Sequence, residues 1–161
     1  TVGLMMAKIL NVKNKVALKS AIDLGIAMQL TNISRDVIED AKNNRSYIST
    51  DFDSIVQTIK LADLFYESSY KSIKEIPLSF RFSILVARRV YRQIGYKILK
   101  KKNIENYSKS GKIYVTILGK TIQTFLSLFD LIILSLIKPN YRFRDKEHLI
   151  INEEINLDER L

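Results

Sequence analysis

The feature that most restricts the fold of this chain is one long helical pattern, which runs from about residue 15 to residue 43. An α-helix advances about 100° per residue, so four polar side chains of this pattern project within an arc of roughly 80°. These four are Gln29, Asn32, Asp36 and Asp40. Two carboxylates one turn apart, preceded by an amide, offer the oxygen ligands that Mg²⁺ prefers, and Mg²⁺ keeps water or phosphate oxygens in its other positions. The spacing therefore predicts a helix-borne Mg²⁺ site, with Arg35 beside it, for a phosphorylated substrate.

The composition favours a fold made of long helices. The 161 residues include only five glycines and two prolines, which disfavours the frequent turns of an all-β protein. A chain of this length can form one domain with its own core. The absence of cysteine excludes disulfides, zinc–thiolate sites and thiol catalysis. The single histidine, His148, excludes a histidine-rich metal site, and we interpret it as a surface residue of the C-terminal tail.

The periodicity of the apolar residues predicts five helical segments. We place them at about residues 3–10, 15–43, 53–75, 79–102 and 112–137. Asp51 or Asp53 is expected to cap the third segment and Pro77 to end it, while residues 103–111 form a polar connection. Gly25, the one weak helix former in the second segment, marks either a passing substrate or the close packing of a partner helix.

The C-terminal third contains a nearly continuous apolar run over residues 125–137. We interpret it as a core helix rather than an interfacial segment, and it is short for a membrane span, which needs about 20 residues. Residues 1–137 then form one domain. Residues 138–161 are mixed in charge without a sustained apolar face, so we expect a mobile tail there.

The net charge of +9 favours acidic partners: diphosphates, nucleic acid or an anionic membrane surface. We expect no nucleic-acid partner, because no nucleic-acid-binding motif accompanies the charge. The lysines between Lys97 and Lys102 are interpreted as a solvated helix end that complements the helix dipole. Contact of these lysines with anionic lipid headgroups is the alternative.

The residues around the polar face resemble a known motif. The string Leu24-Gly-Ile-Ala-Met-Gln-Leu-Thr-Asn-Ile-Ser-Arg-Asp-Val-Ile-Glu-Asp-Ala41 is followed by Asn44-Arg45-Ser46-Tyr47-Ile48. Together they are similar to the second acidic motif of the phytoene/squalene synthase family, the head-to-head prenyl synthases. The resemblance covers about residues 1–125 and is most like the C-terminal portion of the bacterial phytoene synthases.

This resemblance implies an all-α isoprenoid-synthase fold with two acidic motifs on facing helices. Each motif would bind a prenyl diphosphate through Mg²⁺, with Mn²⁺ as a substitute. The implied metal ligands are Asn32, Asp36 and Asp40. Asp36, Asp40, Arg35 and Tyr91 are the implied catalytic residues. The implied diphosphate-binding or substrate-binding residues are Gln29, Asn32, Arg35, Arg45 and Lys112.

The sequence departs from the family pattern in containing only one acidic motif. Asp51-Phe-Asp53 lies in a turn context and does not supply the second one. We therefore expect the first motif and its helices to lie N-terminal to this chain, which makes the chain an incomplete copy of the fold. We also expect the isolated chain to be inactive, with the missing N-terminal half or a partner subunit needed for a complete site.

The activity that the resemblance implies is condensation of two geranylgeranyl diphosphates to phytoene, with release of diphosphate, in carotenoid biosynthesis. Squalene-type or hopanoid-type condensation of farnesyl diphosphate is the close alternative, since chain length depends on cavity depth. A non-catalytic subunit or fragment that binds a prenyl diphosphate is the alternative of a different class. We expect a cytoplasmic location, with peripheral contact at the inner membrane face as an option.

Overall fold

The computed structural model describes residues 2–136, and this part of the chain is helical without any β-strand. The elements are α1 (Val2–Ile9), α2 (Lys15–Lys42), α3 (Phe52–Tyr70), a 3₁₀ turn (Lys71–Glu75), α4 (Leu78–Leu99), α5 (Ile104–Lys109) and α6 (Ile117–Leu136). The predicted all-α fold is confirmed. The tail predicted for residues 138–161, with His148, lies outside the described residues.

Helix α2 is the central element, since it packs against α1, α3 and α4. It begins where the side chain of Asn14 accepts hydrogen bonds from the backbone N–H groups of Val16 and Ala17, at 2.9 and 3.3 Å. It ends at Asn43, whose N–H donates to the carbonyls of Glu39 and Asp40. With 28 residues the helix is about 42 Å long. The predicted bounds of this helix are confirmed to within one residue.

Helix α3 begins at Asp51, one of the two caps predicted from the sequence. Its carboxylate accepts the backbone N–H of Ser54 and the Ser54 hydroxyl, both at 2.7 Å. Hydrogen bonds from Ser49 and Ser54 hold the pKa of Asp51 well below its usual range. This carboxylate is therefore committed to a helix start. The α-helix ends at Tyr70, and the 3₁₀ turn continues to Glu75 before Pro77.

The segment between α4 and α6 differs from the prediction. Residues 103–111 contain α5, which is capped by Asn103 and anchored by the buried side chain of Tyr107. The last helix begins at Ile117 rather than at residue 112, because Ile113 and Val115 are both buried in the core while Tyr114 between them is exposed. Such alternation is typical of an extended chain and incompatible with a helix.

Helix α6 is not the core helix that the sequence predicted. Only Ser127, Asp130 and Leu134 are buried, and they face α4 and the 3₁₀ turn. Most of its large apolar side chains are exposed. Within residues 2–136 it is the one helix that is long and apolar enough to cross a membrane, by length and composition alone. The prediction was wrong because α6 contacts the rest of the chain through its polar side.

Candidate functional site

The four polar residues predicted from the sequence lie on one side of α2, in the structure as in the helical projection. Asn32, Asp36 and Asp40 are half-buried, and Gln29 is exposed. The opposite side of the helix is fixed by Thr31, whose buried hydroxyl is 3.0 Å from the hydroxyl of Tyr66 on α3. This contact with α3 fixes the rotation of α2 and so the direction in which its polar face points.

A second anchor comes from α5. The Tyr107 hydroxyl donates to the carbonyls of Ser34 and Arg35, at 2.9 and 2.6 Å. Burial raises the pKa of Tyr107 to about 12, so the phenol remains a donor at neutral pH. This contact fixes the backbone between Asn32 and Asp36. Sequence reasoning missed it, and the available signal was a lone aromatic residue in the otherwise polar stretch 103–111.

Asp36 is already paired with a cation of its own helix. Arg35 donates from Nε to Oδ1 at 2.8 Å and from Nη2 to Oδ2 at 2.5 Å. These hydrogen bonds lower the pKa of Asp36 and raise the pKa of Arg35, so both groups are charged at neutral pH. The carboxylate can bind a metal ion only when Arg35 moves aside or shares it.

Lys112 joins this group from the extended segment before α6. Its Nζ lies 3.1 Å from Glu39 Oε2 and 3.6 Å from Asp36 Oδ1. The structure thus brings together Asp36, Arg35 and Lys112, which were predicted from separate parts of the sequence. The side chains of Glu39 and Lys112 are both exposed, so their contact is a surface ion pair.

Asn32 supplies the observation that points most directly to a ligand. Its Oδ1 is buried and accepts no hydrogen bond in the described part of the chain. An unsatisfied buried polar atom costs about 1–3 kcal/mol. An amide oxygen is a suitable ligand for a hard cation, so the oxygen donors of Asn32, Asp36 and Asp40 fit Mg²⁺ chemically. Within residues 2–136 there is no cluster of three or more histidine, aspartate or glutamate side chains that could hold a metal by itself.

An apolar cavity of about 640 Å³ begins at Gln29 and Asn32 and runs along α2 toward its N-terminus. Its walls come from α1, α2, the end of α3, the 3₁₀ turn and α4. Aliphatic side chains dominate the lining, for example Met6, Leu24 and Ile84. The lining hydroxyls are satisfied within the wall: two of them, from Ser20 and Ser72, bond each other at 2.7 Å, and that of Ser69 donates to the Tyr66 carbonyl.

Gly25 lines this cavity and also faces α1. A Cβ on Gly25 would lie 3.4 Å from the backbone nitrogen of Gly3, and a Cβ on Gly3 would overlap the Ala21 carbonyl at 2.0 Å. The crossing of α1 and α2 therefore requires glycine at position 3. The close packing of a partner helix predicted at Gly25 is observed, and the residue also lines the cavity, where the passage of a substrate stays a prediction.

Of the predicted site residues, only Gln29 and Asn32 line the cavity. Tyr91 and Arg45 lie outside its wall, as do the charged residues described above. Tyr91 is half-buried between two core clusters, one around Ile55 and Ile94 and the other around Ala62 and Phe65. Arg45 is exposed in the loop after α2, and its backbone N–H donates to the Asp40 carbonyl at 2.8 Å. Their assigned roles stay predictions.

Comparison with known proteins places this geometry in context. The family model described as squalene/phytoene synthase matches residues 1–53. The 15-cis-phytoene synthase of Paracoccus sp. (strain N81106 / MBIC 01143) is 36% identical over 62% of this chain and 38% of its own length. That of Enterobacter agglomerans is 33% identical over 61% of this chain and 40% of its own length. The chloroplastic phytoene synthase 1 of Zea mays is 31% identical over 70% of this chain and 34% of its own length.

The chain thus spans less than half the length of the curated relatives it matches. No solved structure matches it. The family match includes all four polar residues of α2, and the alignments to the phytoene synthases extend well beyond it. Over the part that these matches cover, the chain is similar to the squalene/phytoene synthase family.

Proposed function

We propose that this chain provides one half of the active site of a head-to-head prenyl synthase, which condenses two geranylgeranyl diphosphates to phytoene. The observation behind the proposal is the position of the α2 polar face at the mouth of an apolar cavity, with the unsatisfied Asn32 oxygen at the junction. A prenyl diphosphate has the matching division, a highly charged head on a long apolar tail.

Asn32, Asp36 and Asp40 would hold Mg²⁺, or Mn²⁺ in its place, through one amide and two carboxylate oxygens. When bound, the metal would neutralise the diphosphate as it leaves the allylic carbon. Arg35 and Lys112 lie beside Asp36 and would add positive charge to the same leaving group. Arg45, five residues after Asp40, would approach the diphosphate from the loop that follows α2.

The cavity would hold the prenyl tail and exclude water from the allylic cation. Ala17 and Asn32 both line it and are 15 residues apart on α2, so this wall extends about 22 Å. An extended isoprene unit adds about 5 Å, from ordinary carbon–carbon bond lengths. A wall of this length favours a tail of about four units, the geranylgeranyl length, over the three units of farnesyl diphosphate in a squalene-type reaction.

A second candidate function is binding without catalysis. Within residues 2–136 only α2 contains an Asp-x-x-x-Asp pair, and the chain spans 38% of the length of the Paracoccus relative. A chain that supplies one diphosphate site would bind a prenyl diphosphate, and turnover would need the helices of a missing N-terminal half or a partner subunit. In either case we expect a cytoplasmic protein.

Titration calorimetry with a non-hydrolysable geranylgeranyl thiodiphosphate tests the proposal on the 161-residue chain. We expect Mg²⁺-dependent binding that is lost in Asp36→Asn and in Asp40→Asn. Glu39→Gln removes a carboxylate from the same turn of the same helix and should retain binding, which makes it the matched control. Equal binding by all four proteins would refute the metal assignment.

Turnover distinguishes the two candidates. With geranylgeranyl diphosphate and Mg²⁺ we expect no phytoene from the isolated chain, because one acidic face cannot hold both diphosphates. Phytoene production by this chain alone would overturn the half-site proposal. Production only after addition of the N-terminal part of a relative would favour the synthase over the binding protein.

A further inference from the structure

Helix α6 is oriented with its polar side toward the protein and its apolar side toward solvent. The buried residues Ser127, Asp130 and Leu134 lie on one side. Six large apolar side chains lie opposite, within an arc of roughly 80°. They are Leu118, Ile122, Phe125, Phe129, Ile132 and Leu136, all exposed, and the two phenylalanines are each 62% exposed. A surface helix of a soluble protein normally has the reverse arrangement.

An ion pair holds the helix in this orientation. Arg89 of α4 donates to both carboxylate oxygens of Asp130, at 2.7 Å to Oδ1 and at a shorter distance to Oδ2. Leu134 packs below it in a cluster with Ile73 and Leu85. The carboxylate of Asp130, the one acidic group of α6, is therefore bonded to the protein and not available to solvent.

The apolar face requires a cover, since soluble proteins rarely expose a contiguous apolar surface of this length. The helix has 20 residues and is about 30 Å long. Between residue 121 and residue 136 the only ionisable group is Asp130, on the opposite side. The exposed face is therefore uncharged along its whole length, as in a helix that lies in the boundary between lipid headgroups and acyl chains.

Positive charge lies at the end of the molecule where α6 begins. Lys97 of α4 donates to the carbonyl of Tyr114, three residues before the helix, at 3.2 Å. Lys100, Lys101 and Lys102 follow at the end of α4, and the chain as a whole has a net charge of +9. Basic residues beside an apolar helix face are the complement of an anionic membrane surface.

We propose that α6 is a membrane-docking helix that lies in the surface of an anionic lipid bilayer, with Phe125 and Phe129 among the acyl chains and the lysines around Lys100 at the headgroups. The helix lies in the surface rather than crossing the bilayer, because crossing would carry the Arg89–Asp130 pair into the hydrocarbon region. This inference does not depend on the proposed activity.

Co-sedimentation of the full chain with vesicles tests the docking. We expect binding to phosphatidylcholine vesicles that contain about a third phosphatidylglycerol, and weaker binding to phosphatidylcholine alone. The double variant Phe125→Glu/Phe129→Glu should bind at least about tenfold more weakly, because two buried aromatic side chains are lost from the contact. Ile9→Glu/Leu64→Glu, which places the same charge on exposed aliphatic positions of α1 and α3, is the matched control and should bind like the wild type.

Charge and self-association are tested separately. Lys100→Gln/Lys101→Gln/Lys102→Gln should weaken binding to the anionic vesicles and leave binding to neutral vesicles unchanged. Light scattering should give a monomer in mild detergent. The proposal is overturned if wild-type chain fails to bind anionic vesicles, or if the phenylalanine variant binds them as tightly as the control. A wild-type dimer that the phenylalanine variant dissociates, together with no vesicle binding, would assign the face to a second copy of this chain.

Discussion

Helices α2 and α6 both combine a polar side with an apolar side, but they present these sides in opposite directions. Helix α2 buries Ala27 and Val37 and places Asn32 in a cavity wall, with Asp36 one turn further along the same side, whereas α6 buries Asp130 and exposes Phe125. On α2 the polar groups are available to a ligand. On α6 the polar group, Asp130, attaches the helix to α4, and the apolar side is the surface available to a partner. The same two-sided pattern therefore supports a small-molecule site in one helix and an interaction surface in the other.

The largest expected loss of stability comes from breaking the ion pair that holds α6 against α4. Arg89→Met leaves the carboxylate of Asp130 buried without its partner, which should lower the free energy of unfolding by about 3 kcal/mol. The double variant Arg89→Met/Asp130→Leu removes both charges and should recover most of that loss. Urea denaturation measures both. If the double variant is no more stable than Arg89→Met, the ion pair is not what holds the helix.

At the polar face of α2 we expect a substitution to increase the free energy of unfolding rather than decrease it. Asn32→Leu replaces a buried amide oxygen that has no hydrogen-bond partner within residues 2–136 with an apolar group of similar shape, so we expect a gain of about 1 kcal/mol in the free energy of unfolding. The same change should abolish Mg²⁺-dependent binding of the thiodiphosphate. Gln29→Leu, at an exposed amide on the same face, should change stability by less than about 0.5 kcal/mol. A loss of stability in Asn32→Leu would mean that the oxygen is satisfied in solution and is not reserved for a ligand.

The bounds of α2 could be predicted from the sequence, whereas the orientation of α6 could not. The difference lies in how far apart along the chain the contacting residues are. The bounds of α2 depend on Asn14 and on its own apolar periodicity, so they were predicted to within one residue. Asp51 likewise acts on Ser54, three residues away. The orientation of α6 depends on Arg89, which is 41 residues from Asp130, and a nearly all-apolar run gives no preferred side.

The same reason explains what was missed at the candidate site. The residue types of the polar face, and their shared side, follow from helix geometry and were predicted. The pairing of Lys112 with Glu39 joins positions 73 residues apart, and the contact of Tyr107 with the Ser34 carbonyl spans the same distance. No local pattern predicts either contact. The cavity, built from five separate elements, was expected only through resemblance.

A smaller effect tests whether α5 supports the polar face. Tyr107→Phe keeps the buried ring and removes the hydroxyl that donates to the carbonyls of Ser34 and Arg35. We expect a loss of about 1 kcal/mol in the free energy of unfolding. Faster amide hydrogen exchange should be confined to the middle of α2 and absent from α6. Uniformly faster exchange in both helices would instead indicate general destabilisation. Tyr114→Phe, at an exposed tyrosine, is the control and should behave like the wild type.

The smallest effect concerns the pH dependence that Arg35 gives to the polar face. Hydrogen bonds from Arg35 lower the pKa of Asp36 in the folded chain, so the stabilisation is fully present above the unfolded pKa of 3.8 and is lost as the pH falls through the folded value. In Arg35→Gln the carboxylate loses its main partner and keeps only Lys112, 3.6 Å away, so the free energy of unfolding should fall less between about pH 5 and pH 3 than in the wild type, by a few tenths of a kcal/mol for a pair at the protein surface. Asp36→Asn, which cannot ionise, should show a still shallower profile. Because Arg35 no longer competes for the carboxylate, Arg35→Gln should also bind Mg²⁺ more tightly in the absence of diphosphate.

If Arg35→Gln retains the wild-type pH profile and Mg²⁺ affinity, the pair seen here does not occupy Asp36 in solution, and the polar face of α2 is open to a metal ion without any exchange of partners.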